Sequence, residues 1–359
     1  MEGTDFVGDL PTVGYWISKV FLSNMQTLQR ARFAAALQYG VEFFTFCNED
    51  VNIDKQTING LFWDKESRTY VNKTVKYPMI VDYRLNSQLD IKYPEVYQSL
   101  KNNSYIASKR GIGTKDRVQA KISQGSFAKY IIPTHKFDEN TDIKELCEKY
   151  KTIILKPVGG ANGDGIIKIA ENEDKYNVHY LTEIKEVAHT KLMDYLQVMI
   201  EGGKHKKYIV QKFIKSQTVD NIAMDIRLNL VRGIEGKFHV SNLYTRYGGK
   251  GYVGSNMGRG ERCAGLNIRK DLKYHFGEQR GKDFYKEIRI IARKFPDEFQ
   301  KKVSFALSEL AIDIGIDKDE MKLYFFEING QPGAVLKPYE IAEHNIGFYR
   351  YLFEKGIVG

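Results

Sequence analysis

The sequence has few cysteines and no long apolar run, and each absence excludes a class of protein. Its three cysteines, Cys47, Cys147 and Cys263, are scattered and odd in number. This pattern argues against a disulfide scaffold or a zinc site and predicts free thiols in a reducing cytoplasm. No run of about 18 apolar residues occurs, and the first residues lack the layout of a signal peptide. We therefore expect a cytoplasmic protein without a membrane span.

Motifs of several common enzyme classes are also missing. The glycine-rich segment at residues 159–165 is not followed by Gly-Lys-Ser or Gly-Lys-Thr, and it lacks G-x-G-x-x-G spacing. These absences exclude a Walker P-loop and a Rossmann dinucleotide fingerprint. The H-R-D and D-F-G elements of protein kinases do not occur. The seven histidines show no metal-ligand spacing, and no Ser-His-Asp or Cys-His set is evident.

Composition indicates a globular protein with a basic surface. The 359 residues are 42% hydrophobic and 13% aromatic, which suits two or three domains. The net charge of +9 has two explanations, a polyanion such as nucleic acid or the phosphates and carboxylates of an ATP-using enzyme. Basic residues are dense only at residues 204–207, and no nucleic-acid-binding motif is found. We therefore do not expect nucleic acid as a partner.

Two segments about 170 residues apart carry the main chemical signal. Residues 153–167 form an apolar strand ending in Lys156, a glycine-rich loop and a second apolar strand, whereas residues 323–333 form an apolar strand ending in Glu327 and Asn329. Glycines let backbone N–H groups approach phosphate oxygens, and lysine adds a positive charge. Oxygen ligands two residues apart on a strand share one face and suit Mg²⁺. The alternative is a plain glycine-rich hairpin and a solvated strand end, but together the segments predict a nucleoside-triphosphate site.

The first half of the chain has the pattern of an α/β protein. Residues 28–39 have helical spacing of apolar residues and end at Gly40, which leads directly into a predicted strand. This β-α-β order predicts a small open α/β domain. Asp142 is placed to cap a helix over residues 143–149, and a predicted strand over residues 152–156 follows it.

In the second half we predict helices and hairpins in alternation. An amphipathic helix is expected over residues 185–200 and a hairpin turn at residues 233–236. A long helical region is expected over residues 283–310, with Pro296 dividing it into two helices. The glycine-rich stretch 247–265 is expected to be a loop.

Taken in order, these pieces resemble the ATP-grasp superfamily, most closely its spore-coat-associated (YheC/YheD-like) branch. Besides the two segments above, the resemblance rests on five others: residues 13–17, 40–46, 77–84, 208–214 and 225–228. It implies an α/β (α+β) ATP-grasp fold, in which a small N-terminal open α/β domain precedes two α+β subdomains that clamp ATP. We place the domains at residues 1–100, 101–205 and 206–359, with the glycine-rich loop in the second and the metal ligands in the third.

The resemblance also implies a nucleotide-binding set. Lys156 and an earlier lysine, Lys115, would contact the phosphates, with Lys109 as the rival for the earlier position. The glycine-rich loop would contribute Gly160, Asn162, Gly163 and Gly165. The adenosine pocket would contain Gln211, Lys212 and Ile214 at the adenine and Asp220 at the ribose, unless residues 208–212 are a plain edge strand.

The implied metal ligands are Asp313, Glu327 and Asn329, which would hold two Mg²⁺ ions, with Mn²⁺ as a substitute. Asp317 is the rival of Asp313 and is expected in a turn. Arg227 would contact the γ-phosphate or an acyl phosphate, unless it forms a salt bridge with Asp225 or Glu309.

Three further residues have roles that the resemblance implies around the reacting groups. Asn256 and Arg259 would close over the reaction, unless they lie in a plain exposed loop, and Arg84 would face the substrate.

The implied activity is that of an ATP-dependent carboxylate–amine, or carboxylate–nucleophile, ligase. A carboxylate would form an acyl phosphate with release of ADP, and a nucleophile would then displace phosphate. The partners would be small-molecule or peptide carboxylates and amines, and the oligomeric state is left open. Two alternatives remain at this point, an ATP-grasp kinase and a nucleotide-binding coat protein without turnover.

Overall fold

The computed structural model describes residues 10–23, 25, 27–84, 88–107, 111–159, 164–203, 207–249, 262–263, 267–330 and 336–358. Within them, three β-sheets follow one another along the chain. The strands of the N-terminal sheet are β1 (Thr12–Trp16), β2 (Glu42–Phe46), β3 (Val51–Asn52), β4 (Thr57–Asp64), β5 (Thr69–Lys76), β6 (Ile80–Tyr83) and β7 (Tyr105–Ile106). Those of the central sheet are β8 (Thr134–Phe137), β9 (Thr152–Pro157), β10 (Ile167–Asn172), β11 (Lys175–Tyr180), β12 (Glu183–Ala188) and β13 (Tyr208–Lys212). The C-terminal sheet contains β14 (Met224–Arg232), β15 (Phe238–Tyr247), β16 (Arg262–Cys263), β17 (Glu309–Asp317) and β18 (Lys322–Asn329).

Helices cover one or both sides of these sheets. In chain order they are α1 (Lys19–Ser23), α2 (Thr27–Tyr39), α3 (Leu89–Lys92), α4 (Pro94–Asn103), α5 (Lys115–Ser123), α6 (Ile143–Tyr150), α7 (Leu192–Gly202), α8 (Ile268–Phe276), α9 (Glu278–Gln300) and α10 (Pro338–Glu354). None of the helices in the described part of the chain has the length and apolar character needed to cross a membrane.

The N-terminal sheet is an open α/β sheet, as the β-α-β pattern predicts. Strand β1 pairs in parallel with β2 on one side and β6 on the other, and α2 makes the crossover between β1 and β2. Gly40 ends that helix with a φ of +59°, a conformation that costs glycine little. Arg84 directly follows β6, so it lies at the carboxyl end of the parallel strands, where open α/β sheets bind ligands.

The central sheet is antiparallel, with the order β12-β11-β10-β9-β13-β8. One of its faces packs apolar side chains against α6 and α7. As predicted, Asp142 caps α6, because its carboxylate accepts a hydrogen bond from the N–H of Glu145 at 2.9 Å. Because alternate residues of a strand share a face, the other face carries Lys156 of β9 beside Ile209 and Gln211 of β13.

The C-terminal sheet, of order β16-β15-β14-β17-β18, has an apolar face and a polar face. The apolar face packs against α5, α8 and α9, and its residues on the two central strands are Ile226, Leu228, Leu230, Leu310, Ile312, Ile314 and Ile316. The residues between them on these strands include Asp225, Arg227 and Asp313, which therefore share the opposite face. This polar face is directed toward the central sheet.

A β-bulge in β18 decides which side chains reach the polar face. Asp313 lies opposite Glu327, but the next residue, Ile314, lies opposite Phe325, so Phe326 is the extra residue. Before the bulge Phe325 faces the apolar core, and after it Ile328 does. Glu327 therefore points to the polar face. The ring of Phe326 lies over Gly315, where a Cβ atom would overlap it.

Two helices cross the predicted domain boundaries. The C-terminal helix α10 packs on α2 and contributes Ile346 and Phe348 to the N-terminal core. Helix α5, from the segment before the central sheet, packs in the C-terminal core. In addition, β13 follows the predicted boundary between residues 205 and 206 but pairs with β9 and β8 in the central sheet.

Two secondary-structure predictions are wrong. Residues 183–188 form edge strand β12, and α7 begins only at residue 192, because the residues before it pair along the length of β11. The predicted division at Pro296 does not occur, and α9 continues to residue 300. A proline removes only one helical N–H group, and the ring of Pro296 is buried on the core side of the helix. The end of that predicted helical region is instead the beginning of β17.

We predict that Gly315→Ala destabilises the protein by about 1–3 kcal/mol, because the new methyl group overlaps an aromatic ring that has packed neighbours. The measurement is the free energy of unfolding in urea. Gly202→Ala is the matched control, since a Cβ atom there has no neighbour within 4 Å. Equal free energies of unfolding for the two variants would contradict the packing of Phe326 on Gly315.

Candidate functional site

A cavity of about 310 Å³ lies between the central sheet, the C-terminal sheet and the beginning of α5. Its polar lining includes five of the residues predicted from the sequence: Lys115, Lys156, Gln211, Glu327 and Asn329. Apolar residues from the same elements complete the wall, among them Ile112, Val158, Ile209, Phe326 and Ile328. An apolar wall with a few convergent polar groups is the usual character of a small-molecule site.

Two lysines approach the cavity from different elements. Lys156 projects from β9, and its ammonium nitrogen lies 5.4 Å from the centre of the Phe326 ring. Lys115 is the first residue of α5, and its Nζ lies 3.7 Å from Oε1 of Glu327. Because a helix N-terminus also directs N–H groups outward, this end of the cavity favours an anion.

The environment of Lys156 opposes its positive charge. The pKa of Lys156 is lowered to about 8, chiefly by burial and secondly by the charge of Lys115, while the charges of Glu327 and Asp313 act in the opposite direction. A lysine with this pKa is only partly protonated near pH 8. An anionic ligand in the cavity would restore the full charge.

Gln211 presents an acceptor to the cavity. The hydroxyl of Thr134 donates a hydrogen bond to the backbone oxygen of Ile132 at 2.7 Å, so this hydroxyl can only accept from Gln211. The Nε2 group of Gln211 donates that bond at 2.9 Å. The orientation of the amide is thereby fixed, and its buried Oε1 atom has no hydrogen-bond partner among the described residues. A buried acceptor without a partner is costly, and an amino group of a ligand would satisfy it.

A row of charged side chains crosses the polar face of the C-terminal sheet. Arg227 of β14 lies opposite Asp313 of β17, which lies opposite Glu327 of β18. Nη1 of Arg227 donates to Oδ1 of Asp313 at 2.7 Å. The alternative considered from the sequence was a salt bridge of Arg227 with Asp225 or Glu309, and the ion pair that the structure shows is with Asp313. Asn329 follows Glu327 by two residues on the same strand.

These residues fit a magnesium ion in their chemistry. Asp313, Glu327 and Asn329 offer two carboxylates and an amide, the hard oxygen donors that Mg²⁺ prefers. No cluster of three or more His, Cys, Asp or Glu side chains suited to a metal occurs in the part of the chain that the structure describes. The predicted set contains only two such side chains. Asp317, the rival ligand, instead accepts hydrogen bonds from the N–H groups of Asp319 and Glu320 and closes the β17–β18 turn.

The other predicted residues that the structure describes lie outside the cavity lining. Lys212 pairs with Glu320, and Ile214 is buried in a small apolar cluster. Asp220 is exposed in a turn, and Gly165 has a φ of +75°.

Arg84 lies at the far end of the polar face, with its Nη1 atom 4.0 Å from Oε2 of Glu309. The remaining predicted residues, Gly160, Asn162, Gly163, Asn256 and Arg259, lie outside the described residues, as does Lys109.

Sequence reasoning missed two residues of the site. Arg246 of β15 contacts both Asp225 and Asp313, and its side chain is only 4% exposed. The turn at residues 233–236 alone would pair Asp225 with Thr245, and a β-bulge between Asn229 and Leu230 shifts the register so that Arg246 lies opposite Asp225. Phe326 was missed because its place in the cavity depends on the bulge in β18, which no residue pattern indicates.

Comparison with known proteins gives a family match and two curated relatives. A family model described as YheC/D like ATP-grasp matches residues 105–355. The endospore coat-associated protein YheD of Bacillus subtilis (strain 168) is 20% identical over 355 residues, covering 94% of this chain and 75% of that protein. The endospore coat-associated protein YheC of the same organism is 21% identical over 307 residues, covering 83% of this chain and 82% of that protein.

Among solved structures, the chain is similar to N5-carboxyaminoimidazole synthetase from Staphylococcus aureus. The TM-score is 0.49 and the identity 11%, over 94% of this chain and 77% of that chain. The family model is the more informative match for the site, because its residues 105–355 include the whole cavity lining.

We predict that binding of ADP takes up a proton at Lys156 near pH 8. About half of the lysines are neutral there, and the phosphates require the charged form. ADP affinity should therefore fall as the pH rises through 8. Calorimetry in buffers of different ionisation enthalpy should find about half a proton more taken up at pH 8 by the wild type than by Lys156→Arg, whose guanidinium stays charged. Equal proton uptake by the wild type and Lys156→Arg would show that Lys156 is not the group that takes up the proton.

Proposed function

Because the chain belongs to the YheC/D like ATP-grasp family, we propose that it is an ATP-dependent ligase that joins a carboxylate to an amine or another nucleophile. The observation that carries the proposal is the lining of the cavity, in which Lys115, Lys156, Glu327 and Asn329 surround one space. Cations and hard oxygen donors that line the same cavity suit a polyphosphate with its metal.

The orientation of the nucleotide follows from the position of the polar groups. The phosphates would lie between Lys156, Lys115 and the N-terminus of α5, with the loop residues Gly160, Asn162 and Gly163 proposed to supply N–H groups. The adenine would lie toward Gln211, whose unpartnered Oε1 atom would accept from the 6-amino group. Lys212, Ile214 and Asp220 remain proposed only as residues around this pocket.

Asp313, Glu327 and Asn329 are the proposed residues that hold Mg²⁺, or Mn²⁺ in its place. When bound, the metal would neutralise phosphate charge that two lysines alone leave uncompensated. Arg227 lies beside this set, within 2.7 Å of Asp313, and could turn from that carboxylate toward a transferring phosphoryl group.

The proposed reaction needs no covalent bond to the protein. An oxygen of the substrate carboxylate forms a bond to the γ-phosphorus of ATP, and the bond from that phosphorus to the bridging oxygen breaks with release of ADP. The nucleophile then attacks the acyl carbon and loses a proton, and inorganic phosphate leaves. The cations of the site stabilise the negative charge that is shared between the two anionic reactants.

The substrates are proposed to be small-molecule or peptide carboxylates and amines. Arg84 is the proposed substrate contact, because it lies at the carboxyl end of β6 and on the same side of the C-terminal sheet as the charged row. Asn256 and Arg259 are proposed to close over the acyl phosphate, which is hydrolysed if water enters.

We predict that Glu327→Gln or Asn329→Ala abolishes the Mg²⁺-dependent part of ADP binding and reduces turnover a hundredfold or more, on the order expected for lost transition-state charge stabilisation. For the wild type, Mg²⁺ and ADP at a hundredfold excess over the dissociation constant should stabilise the fold by about 2.7 kcal/mol. Thermal unfolding with and without Mg²⁺ measures both effects.

Asp319→Asn is the matched control for these variants. It removes an acid from the turn at the other end of β18, where Asp319 forms an exposed ion pair with Lys215 that contributes little. Wild-type Mg²⁺ dependence in Glu327→Gln and Asn329→Ala would exclude both residues from the metal site. The absence of any stabilisation of the wild type by millimolar ADP or ATP analogue would refute the nucleotide site itself.

We predict that ATP consumption requires two substrates, and that hydroxylamine traps a hydroxamate when the carboxylate alone is supplied. An acyl phosphate reacts readily with hydroxylamine, whereas a phosphate ester does not. The measurement is ADP release across pooled amino acids, peptides and small carboxylates, followed by mass spectrometry of the hydroxamate.

The control is the same mixture with Glu327→Gln. A stable phosphorylated product, formed without a second substrate and without hydroxamate, would make the protein a kinase. Nucleotide binding without turnover on any pool would favour a structural role, as the coat-associated names of the relatives suggest.

A further inference from the structure

Behind the charged row lies a second ion pair that the proposed reaction does not use. Nε and Nη2 of Arg246 donate to the two carboxylate oxygens of Asp225, each at 2.6 Å. The side chains are 4% and 3% exposed. Two parallel charge-assisted bonds are the strongest arrangement available to such a pair, and they fix the plane of the guanidinium.

The same guanidinium reaches the proposed metal ligand. Nη2 of Arg246 lies 3.1 Å from Oδ1 of Asp313, the atom that also accepts from Arg227. Both arginine contacts therefore involve one oxygen of Asp313, and the carboxylate is held against rotation. Of the two arginines, Arg227 has the more exposed side chain, at 18% against 4%.

The two arginines and two aspartates of this group carry equal and opposite charge. Arg246 and Arg227 are matched by Asp225 and Asp313. Without Asp225, the buried charge of Arg246 would have only Asp313 as a close counter-ion among these four residues. A stronger pairing between them would reduce the capacity of Asp313 to bind a cation.

We propose that Asp225 and Arg246 are positioning residues for the metal ligand Asp313. Arg246 orients the carboxylate of Asp313 through its Oδ1 atom. Asp225 balances the positive charge of Arg246, so that Arg246 competes less with the metal for Asp313. The inference rests on the proposed function, because it requires Asp313 to bind a divalent cation. It assigns the two residues an effect on metal affinity that is separate from nucleotide contact.

The test measures Mn²⁺ binding in the presence of ADP by the electron paramagnetic resonance signal of the free ion. Asp225→Asn leaves Asp313 as the close counter-ion of Arg246 within this group and should weaken Mn²⁺ binding about tenfold or more, the effect expected for residues that support a metal ligand. Asp225→Asn combined with Arg246→Gln removes the competing charge as well. The double variant should therefore bind Mn²⁺ more tightly than Asp225→Asn but less tightly than the wild type.

Two readouts separate positioning from a general structural role. ADP affinity measured in EDTA should stay within about twofold of the wild type in both variants, because neither residue lines the cavity. Arg232→Gln is the control, since Arg232 lies at the other end of β14 and donates to Gln300. It should leave Mn²⁺ binding unchanged.

Several outcomes would overturn the proposal. They are wild-type Mn²⁺ affinity in both variants, a double variant weaker than Asp225→Asn, and an equal loss of ADP affinity with and without metal. If Asp225→Asn does not fold, Mn²⁺ binding is measured on the double variant alone. Wild-type Mn²⁺ affinity in the double variant would then refute the proposal. If all variants unfold while Arg232→Gln is stable, the pair is a folding element and the proposal is wrong. A wild-type protein that binds neither ADP nor Mn²⁺ refutes the proposed function instead.

Discussion

In a strand that alternates without interruption, Glu327 would point to the same side as Leu323 and Phe325, into the apolar core of the C-terminal sheet. The extra residue at Phe326 changes this alternation, so Glu327 turns to the polar face while Ile328 takes its place in the core. The bulge requires Gly315 on the neighbouring strand, because the Phe326 ring occupies the space of a side chain there. Lys156 in turn lies over that ring. One irregularity in β18 thus places the proposed metal ligand Glu327 and shapes the wall beside Lys156, the lysine proposed to bind phosphate.

Burial gives this arrangement its chemical character. The side chains of Asp225, Asp313 and Arg246 are at most 5% exposed, so their charges are costly unless each meets an opposite charge. Arg246 supplies that opposite charge to both Asp225 and Asp313, and these contacts fix the positions of the three side chains. Lys156 has a pKa lowered to about 8, chiefly because burial disfavours its charge and the nearby acids offset this only in part. Lys156 lines the cavity, and a cation whose charge is only partly balanced there is expected in a site that binds an anionic ligand.

Features of the fold that lie within one segment of the chain could be predicted from the sequence, whereas features set by the pairing of strands could not. The ATP-grasp fold and the family are confirmed, because ordered strands and loops carry their own apolar and glycine patterns. Five predicted residues line one cavity. Four of them, Lys156, Gln211, Glu327 and Asn329, lie at or near the ends of apolar strands, and Lys115 begins helix α5. Features that depend on a β-bulge were missed, because a bulge shifts the pairing of every later residue: they are the pair of Arg246 with Asp225 and the position of Phe326. Edge strand β12 was mistaken for a helix, because its apolar residues at positions 184 and 187 also fit helical spacing.

The N-terminal sheet is joined to the site by a second buried polar group. Asn345 of α10 accepts from Arg32 at 3.2 Å and donates to Glu309 at 3.1 Å, and Glu309 precedes Asp313 by four residues on β17. Tyr349 of the same helix donates to Asp82 of β6.

The central sheet meets the C-terminal sheet differently, through a small apolar cluster of Ile132, Ile214, Tyr324 and Phe326 and through ion pairs at the β17–β18 turn. A buried network and a shared apolar core hold a domain more firmly than a small cluster with partly exposed ion pairs. Because Arg84 belongs to the firmly joined part, its distance from Asp313 is set by the fold. The lysine and the amide of the central sheet, Lys156 and Gln211, belong to the part that is less firmly joined.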